Sequence, residues 1–166
     1  MSDFYKAYRG DGRDVVYETL SGTQIIKRQW SVAWRNNNPG NIERGEFSRR
    51  NGAIGDDGRF AIFPNYNTGR NALENLLKTK SYQSLRVKDA MNRYAPDHEN
   101  DTEAYIKFIE KNASISRDMY MKDLSSSGVS VFADAIERFE GNIEGKTLPF
   151  PKRKPVFDAT GRMIRD

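Results

Sequence analysis

A segment rich in asparagine and glycine constrains the fold of this chain more than any other feature of its sequence. Between residues 34 and 58 the chain holds five asparagines and five glycines, namely Asn36, Asn37, Asn38, Asn41, Asn51, Gly40, Gly45, Gly52, Gly55 and Gly58. These residue types favour turns and hydrogen bonds from side chain to backbone over regular helix. We therefore expect this loop region to be built from turns.

Strands are predicted on both sides of the loop region. Residues 1–13 are polar and contain glycine, and we expect a loose lead-in there. Val15–Leu20 and Thr23–Trp30 flank Ser21-Gly22, a pairing that predicts a β-hairpin. Arg59–Phe63 predicts one further short strand, so the β structure is small.

Four helices are predicted in the rest of the chain from apolar residues at helical spacing. The stripes are Ala72–Leu77, Val87–Tyr94, Ala104–Ile109 and Phe132–Phe139, the last of which belongs to the core. We expect a cap at Asn67 or Thr68 for the first helix. Asn100 and Glu103 have the spacing of a capping box for the third. The predicted fold class is α+β, mostly helical with a small β region.

Three parts of the chain are predicted from these patterns. Residues 1–33 form a lead-in and hairpin, residues 34–146 form the catalytic domain, and residues 147–166 form a basic, proline-containing tail. The length of 166 residues agrees with one main domain. Three prolines within seven residues break regular structure in the tail, which we expect to be extended or disordered.

The content of cysteine and histidine leaves carboxylate chemistry as the main route to hydrolysis. The chain has no cysteine and one histidine, His98. This excludes disulfides, thiolate zinc sites, cysteine nucleophiles and metal sites with several histidines. We expect neither a metal nor a cofactor, and we expect His98 to be an exposed loop residue, with a proton shuttle as the alternative.

The positive charge of the chain lies mainly in its flanks. Residues 34–142 carry 16 basic and 16 acidic side chains, whereas residues 143–166 carry six and three. We therefore expect no specific nucleic-acid partner. No apolar run approaches the roughly 20 residues of a membrane span, and residues 1–14 lack the apolar core of a signal peptide. We expect no membrane insertion, and synthesis in the cytoplasm without a cleavable signal.

The loop region contains candidate acids for glycoside hydrolysis, which needs one protonated and one ionised carboxyl. The four acids are Glu43, Glu46, Asp56 and Asp57. Glu43 is the better candidate for the proton donor, because Pro39 and Ile42 offer an apolar flank that would desolvate its carboxyl. The alternatives are that Glu43 is a solvated surface residue and that the Asp56-Asp57-Gly58 run is a structural turn.

Three blocks of sequence together resemble a known family. They are RNNNPGNIE at Arg35–Glu43, GAIGDDGRFAIFP at Gly52–Pro64 and YAPDHENDTEAY at Tyr94–Tyr105. In this order they are similar to the lysozyme-like peptidoglycan-hydrolase domains of phage virion proteins and type VI secretion effectors, and the chain departs from the pattern at Asp97-His98. The resemblance spans residues 34–142. It implies a lysozyme-like fold and cleavage of the glycan strands of peptidoglycan.

The resemblance implies that Glu43 is the general acid and that Asp57 is the second acid, with Asp56 the next choice. The candidate glycan-binding residues are Arg35, Asn38, Asn41, Asp56, Tyr66, Glu99 and Asn100. The first three either bind N-acetyl sugars or organise the loop. Glu99 and Asn100 either line the cleft or cap a helix. Tyr66 is a candidate for stacking on a sugar, whereas Tyr94 and Tyr105 lie on apolar stripes typical of core.

The leading hypothesis is therefore a muramidase that acts on the cell wall or in the periplasm of a target bacterium. A type VI secretion system is the preferred delivery route, a phage particle is the other, and a cognate immunity protein is the expected partner. Hydrolysis and lytic transglycosylation both remain open. The alternative function is a non-catalytic structural or wall-binding module of a phage particle with the same fold.

Overall fold

The computed structural model of the chain combines helices with antiparallel sheets, in agreement with the predicted α+β class. By packing, the chain falls into two compact units, Met1–Ala72 with Glu140–Asp166 and Leu73–Phe139. No helix within the described ranges has the length and apolar character needed to cross a membrane. The structure describes residues 4–28, 31–95, 99–141, 156–157 and 163–165, with side chains for 4–28, 31–95 and 102–140.

Three strands near the N-terminus form an antiparallel sheet in the order β1-β2-β3. They are β1 (Phe4–Arg9), β2 (Val15–Thr19) and β3 (Gln24–Lys27). The predicted hairpin is confirmed as β2 and β3. Its turn is closed by the Gly22 N–H, which donates to the Thr19 carbonyl at 2.9 Å. Gly22 has a φ of 94°, a backbone conformation that glycine adopts without steric cost.

The expectation of a loose lead-in is wrong for residues 4–9, which form β1. Lys6, Ala7, Tyr8 and Arg9 pair in register with β2. Ala7 is buried in a cluster with Val15, Tyr17 and Ile62, while most of the other β1 side chains remain in solvent. The strand therefore forms through its pairing with β2 and through two residues that pack on the core, the buried Ala7 and the half-buried Phe4.

A second, smaller antiparallel sheet lies in the loop region and consists of β4 (Gly55–Asp56) and β5 (Ala61–Ile62). It confirms the centre of the predicted strand at residues 59–63, and an isolated bridge from Phe60 to Glu43 extends it. The Ala7 N–H donates to the Ile54 carbonyl at 3.3 Å, so the first sheet is joined to the second.

Two short helices also lie in or beside the loop region, where only turns were expected. They are α1 (Val32–Arg35) and α2 (Glu46–Arg50). The Ser31 hydroxyl accepts a hydrogen bond from the Trp34 N–H at 3.1 Å and caps the first of them. Each is one turn long, too short for an apolar stripe to reveal it.

The remaining helices confirm the four predicted stripes and add shorter elements. They are α3 (Tyr66–Leu77), α4 (Lys80–Gln83), α5 (Val87–Tyr94), α6 (Glu99–Ala113), a 3₁₀ turn (Met121–Asp123) and α7 (Ser126–Gly141). Their buried apolar side chains form the core of the second unit and include Leu73, Leu77, Val87, Met91, Ile109, Phe132 and Ile136. The Phe132–Phe139 stripe is thus core, as predicted.

Both predicted helix caps are wrong. Asn65 caps α3, because its Oδ1 accepts the Thr68 N–H at 2.8 Å and the Thr68 hydroxyl at 2.9 Å. The capping box of Asn100 and Glu103 is not formed, because α6 already begins at Glu99. The Glu103 carboxylate instead accepts two hydrogen bonds from the Arg117 guanidinium, at 3.0 and 2.9 Å. This fork ties the segment after α6 back to the helix.

The tail holds two short antiparallel strands, β6 (Val156–Phe157) and β7 (Met163–Arg165). The tail was expected to be extended or disordered. These five residues are extended and pair with each other. The proline-containing part, residues 147–155, lies outside the described residues. The division of the chain into 1–33, 34–146 and 147–166 stays a prediction, and the compact units cut the chain at other positions.

Gly55→Ala tests the junction between the two sheets. A Cβ at this position would overlap the Ala7 carbonyl group, so the strands would have to separate. We expect a loss of about 1 to 3 kcal/mol in the free energy of unfolding, measured by urea denaturation. Gly128→Ala is the control, because its Cβ would meet the Leu124 side chain at 3.3 Å at the start of a helix. Equal stability of both variants would contradict this account of the junction.

Candidate active site

The two predicted catalytic acids lie in one cross-strand row of the small sheet. Phe60 forms an antiparallel bridge with Glu43 on one side. On its other side the Asp57 N–H donates to the Phe60 carbonyl at 3.0 Å. Since neighbouring strands are about 4.8 Å apart, two spacings put the backbones of Glu43 and Asp57 about 10 Å apart. The fold therefore brings these two acids to opposite sides of a single residue.

Asn38 holds the Glu43 side of this row in place. Its Nδ2 donates to the carbonyls of Ile42 and Ala61 at 2.8 and 2.9 Å, and its Oδ1 accepts the Ile42 N–H at 2.9 Å. The side chain is fully buried. Asn38 thus organises the loop, the second of the two roles considered for it, and in this conformation no part of its amide is exposed to a sugar.

Asp57 is held by hydrogen bonds at both carboxylate oxygens. Oδ1 accepts the N–H groups of Arg59 and Phe60 at 2.9 and 2.7 Å, and Oδ2 accepts the Asn36 amide at 3.1 Å. Partial burial by itself raises the pKa of Asp57. The hydrogen bonds, together with the nearby charge of Arg9, outweigh burial and leave the pKa below its ordinary value. Asp57 therefore carries a well-supported negative charge.

Glu43 lies in contrasting surroundings. Its side chain is 65% exposed, and the Arg59 Nε lies 3.4 Å from its Oε2. Ile42 is buried beside it without covering the carboxyl, so the expected desolvation by an apolar flank is wrong for this structure. The Arg59 guanidinium also lies over the Phe60 ring, 4.6 Å from its centroid. Arg59 therefore spans the row between Phe60 and Glu43.

Asp56, the other candidate for the second acid, serves the turn. Its Oδ1 accepts the Gly58 N–H at 2.8 Å, and the Arg44 Nη1 lies 3.8 Å from the same oxygen. A carboxylate that accepts an N–H two residues ahead stabilises a turn locally. Asp56 thus has the structural role in the turn that was the alternative interpretation of the Asp56-Asp57-Gly58 run. Asp57 has that role through Oδ1, while its Oδ2 bonds Asn36.

Arg35 is buried at the end of α1, where the Tyr17 hydroxyl donates to its carbonyl. Burial lowers the pKa of Arg35 and the nearby Arg13 lowers it further, while Asp57 and Asp14 act in the opposite direction. The guanidinium is thus part of a charged group around Asp57. Because Arg35 is buried, its side chain is not presented on the surface in this structure.

Asn41 connects the loop region to α7. It has a left-handed backbone with a φ of 48°, and its Nδ2 donates to the Glu140 Oε1 at 3.0 Å. Glu140 is half-buried. The partner of Glu140, Asn41, precedes Glu43 by two positions in the chain. Glu140 is therefore a further acid to be tested.

The other predicted site residues are distributed over both units. Tyr66 is half-buried and begins α3 in the first unit. Glu99 and Asn100 belong to the first turn of α6, and their side chains lie outside the described residues, as does all of His98. Tyr105 is buried and meets the Phe139 ring edge-on at 5.6 Å, as expected of a core residue.

Three residues that sequence reasoning did not assign to the site interact with these acids, namely Asn36, Arg59 and Arg9, and a fourth, Glu140, bonds Asn41. Asn36 stands in the same asparagine run as Asn38, which was the available signal. Arg9 was missed because it lies in the segment expected to be loose. Arg59 and Glu140 carried no signal in the sequence pattern.

The described residues contain no group of three or more side chains that could hold a metal ion. The polar side chains described at this row are carboxylates, amides and guanidinium groups. In comparisons with known proteins, no family model matches the chain and no curated protein matches it.

Asp57→Ala tests the supporting role of this carboxylate in the turn. Two backbone N–H groups lose their acceptor, so we expect a loss of about 1 to 2 kcal/mol in unfolding free energy at pH 7. The folded-state pKa lies below the unfolded value of about 4, so the stabilisation is present above pH 4 and is lost as the pH falls through the folded-state pKa. Thermal unfolding of both proteins from pH 7 to pH 2.5 measures this.

The control for this comparison is Asp118→Ala, whose carboxylate is 61% exposed and lies 3.1 Å from the Lys88 Nζ. An exposed ion pair of this kind contributes little stability. The account would be contradicted if Asp57→Ala were as stable as the wild type at pH 7. It would also be contradicted if the difference in stability between the wild type and Asp57→Ala were as large at pH 2.5 as at pH 7.

Proposed function

We propose that this protein is a lysozyme-like muramidase that cleaves the glycan strands of peptidoglycan, with Glu43 as general acid and Asp57 as the ionised second acid. One observation carries the proposal. The backbones of Glu43 and Asp57 pair with Phe60 on its two sides, and the surroundings of their carboxyl groups differ sharply. Pairs of carboxyls with different environments are what acid-base cleavage of a glycosidic bond requires.

Asp57 has the properties of the carboxylate that stays charged. Three hydrogen bonds and the charge of Arg9 stabilise its ionised form. Such a group can activate water or stabilise the positive charge that develops on the sugar. It is poorly suited to donate a proton, which leaves the acid role to Glu43.

Glu43 has the accessibility that a proton donor needs. A glycan strand bound over this row would contact the exposed carboxyl of Glu43 directly. On this proposal the ionised carboxylate of Asp57 activates the water that attacks the sugar. A lytic transglycosylase would instead use the hydroxyl of the substrate itself and would depend less on Asp57.

The resemblance of the three sequence blocks supports the substrate class and the route of delivery. On this proposal the protein reaches the periplasm or wall of a target bacterium through a type VI secretion system, with a phage particle as the other route. An immunity protein in the producing cell would protect its wall. The proposed muramidase activity requires no metal and no cofactor.

The second candidate function is a non-catalytic structural or wall-binding module with the same fold. The observation that favours it is the engagement of both acids, since Asp57 supports a turn and Glu43 lies beside Arg59. A module of this kind would bind peptidoglycan and release no fragments. Activity measurements on acid variants separate the two functions.

Glu43→Gln tests the proposed acid. Glutamine keeps the shape but cannot donate the proton, so we expect release of soluble fragments from dye-labelled peptidoglycan to fall by about 100-fold or more. Glu46→Gln is the matched control. Glu46 is also an exposed acid of the loop region, 71% accessible and with the Arg50 Nε 4.0 Å away. We expect the control to retain full activity.

Glu140→Gln completes the series, because Glu140 is the acid linked to the same loop through Asn41. The assignment to Glu43 requires Glu140→Gln to remain active. Full activity of a correctly folded Glu43→Gln protein, or loss of activity confined to Glu140→Gln, would overturn it. A wild-type protein that binds peptidoglycan without cleaving it would support the non-catalytic module.

A further inference from the structure

We propose that Asn36 is a positioning residue for the second acid, which aims Asp57 Oδ2 and keeps that oxygen charged. The proposal rests on the function proposed above for Asp57. Asn36 is fully buried, and its Nδ2 donates to Asp57 Oδ2 at 3.1 Å. These two residues are 21 positions apart in the chain, so the contact depends on the tertiary fold.

The backbone of Asn36 is fixed on both sides. Its N–H donates to the Val32 carbonyl at 2.9 Å, which closes α1, and its carbonyl accepts the Phe63 N–H at 2.9 Å. The first contact holds Asn36 to the helix and the second holds it to the segment that follows β5. Its side chain therefore leaves a rigid base, as accurate positioning of a carboxylate requires.

The turn does not need this contact. The Asp57 Oδ1 already accepts the N–H groups of Arg59 and Phe60, which are the donors that shape the turn. The Oδ2 atom receives the Asn36 amide instead. Asn36 thus determines the direction of Oδ2, the oxygen that the turn does not use. A change at Asn36 therefore affects the position of Oδ2 and leaves the bonds of the turn in place.

The orientation of the Asn36 amide follows from the same geometry. Rotating the amide by 180° would place its oxygen against a carboxylate oxygen, and two acceptors would repel each other. In the present orientation the Oδ1 of Asn36 is buried and accepts no hydrogen bond from the residues that the structure describes.

Other groups also act on Asp57. The charge of Arg9 on β1 and that of Arg35 in α1 lie close enough to interact with it. The backbone N–H groups of Arg59 and Phe60 complete its surroundings. All of these favour the carboxylate, so removing the Asn36 amide should weaken the support of the charge without abolishing it.

Carboxyl NMR of the full chain with ¹³C-labelled aspartate tests the proposal without relying on activity. In Asn36→Ala we expect the pKa of Asp57 to rise toward its ordinary value, because one donor to the charged form is lost. Asn36→Asp keeps the shape and replaces the donor by an acceptor. One of the two adjacent carboxyls should then titrate clearly above wild-type Asp57, which decides the question if Asn36→Ala does not fold.

The control is Asn37→Gly, which removes the neighbouring side chain and suits the left-handed backbone of Asn37, whose φ is 52°. We expect the titration of Asp57 to be unchanged in this variant. On peptidoglycan, Asn36→Ala should lower kcat about tenfold with little change in KM, and should move the acidic limb of the pH profile upward together with the pKa of Asp57.

An unchanged titration of Asp57 in folded Asn36→Ala and Asn36→Asp would overturn the proposal. So would a shifted titration that leaves kcat and the acidic limb unchanged in an active enzyme. An inactive wild-type protein would refute the proposed muramidase function instead, and the titration would still decide whether Asn36 controls the charge of Asp57. The two failures are therefore distinguishable.

Discussion

The three hydrogen bonds of the buried Asn38 amide are the interaction on which the candidate site depends. They join the Ile42 segment to the Ala61 segment, beside two backbone bonds of 2.9 Å in which the Ala61 N–H donates to the Ile42 carbonyl and the Arg44 N–H to the Arg59 carbonyl. A short apolar side chain here would leave buried backbone groups without partners, at a cost comparable to a lost hydrogen bond for each. The Asn38 side chain and these two backbone bonds together hold Glu43 beside Phe60.

Two buried asparagines hold the two sides of the row. Asn38 bonds the backbone of Ile42, next to Glu43, and Asn36 bonds the carboxylate of Asp57. The N-terminal sheet adds to this arrangement, because the Ala7 N–H bonds to the Ile54 carbonyl and Arg9 acts on Asp57 through its charge. Residues expected to be a lead-in therefore belong to the unit that contains the second acid.

Most of the fold could be predicted because helical stripes and the turn at Ser21-Gly22 are local signals. The features that were missed depend on contacts distant in sequence. Phe4–Arg9 forms a strand because Phe4 and Ala7 pack on the core, and the Glu103 carboxylate accepts two bonds from Arg117, 14 positions away, instead of closing a capping box. In the candidate site too, local features could be predicted and contacts distant in sequence could not. The acids were named from their loop, but the exposure of Glu43 beside Arg59 required the structure.

The most direct test of the central claim is mass spectrometry of the fragments released from purified peptidoglycan by the wild-type protein in H₂¹⁸O. Two carboxyls on either side of Phe60, one able to donate a proton and one held charged, predict hydrolysis by water. The account therefore predicts disaccharide-peptide fragments with ¹⁸O at the new reducing end. Anhydro-sugar products would contradict the role given to Asp57, and the absence of any fragments would contradict the proposed activity.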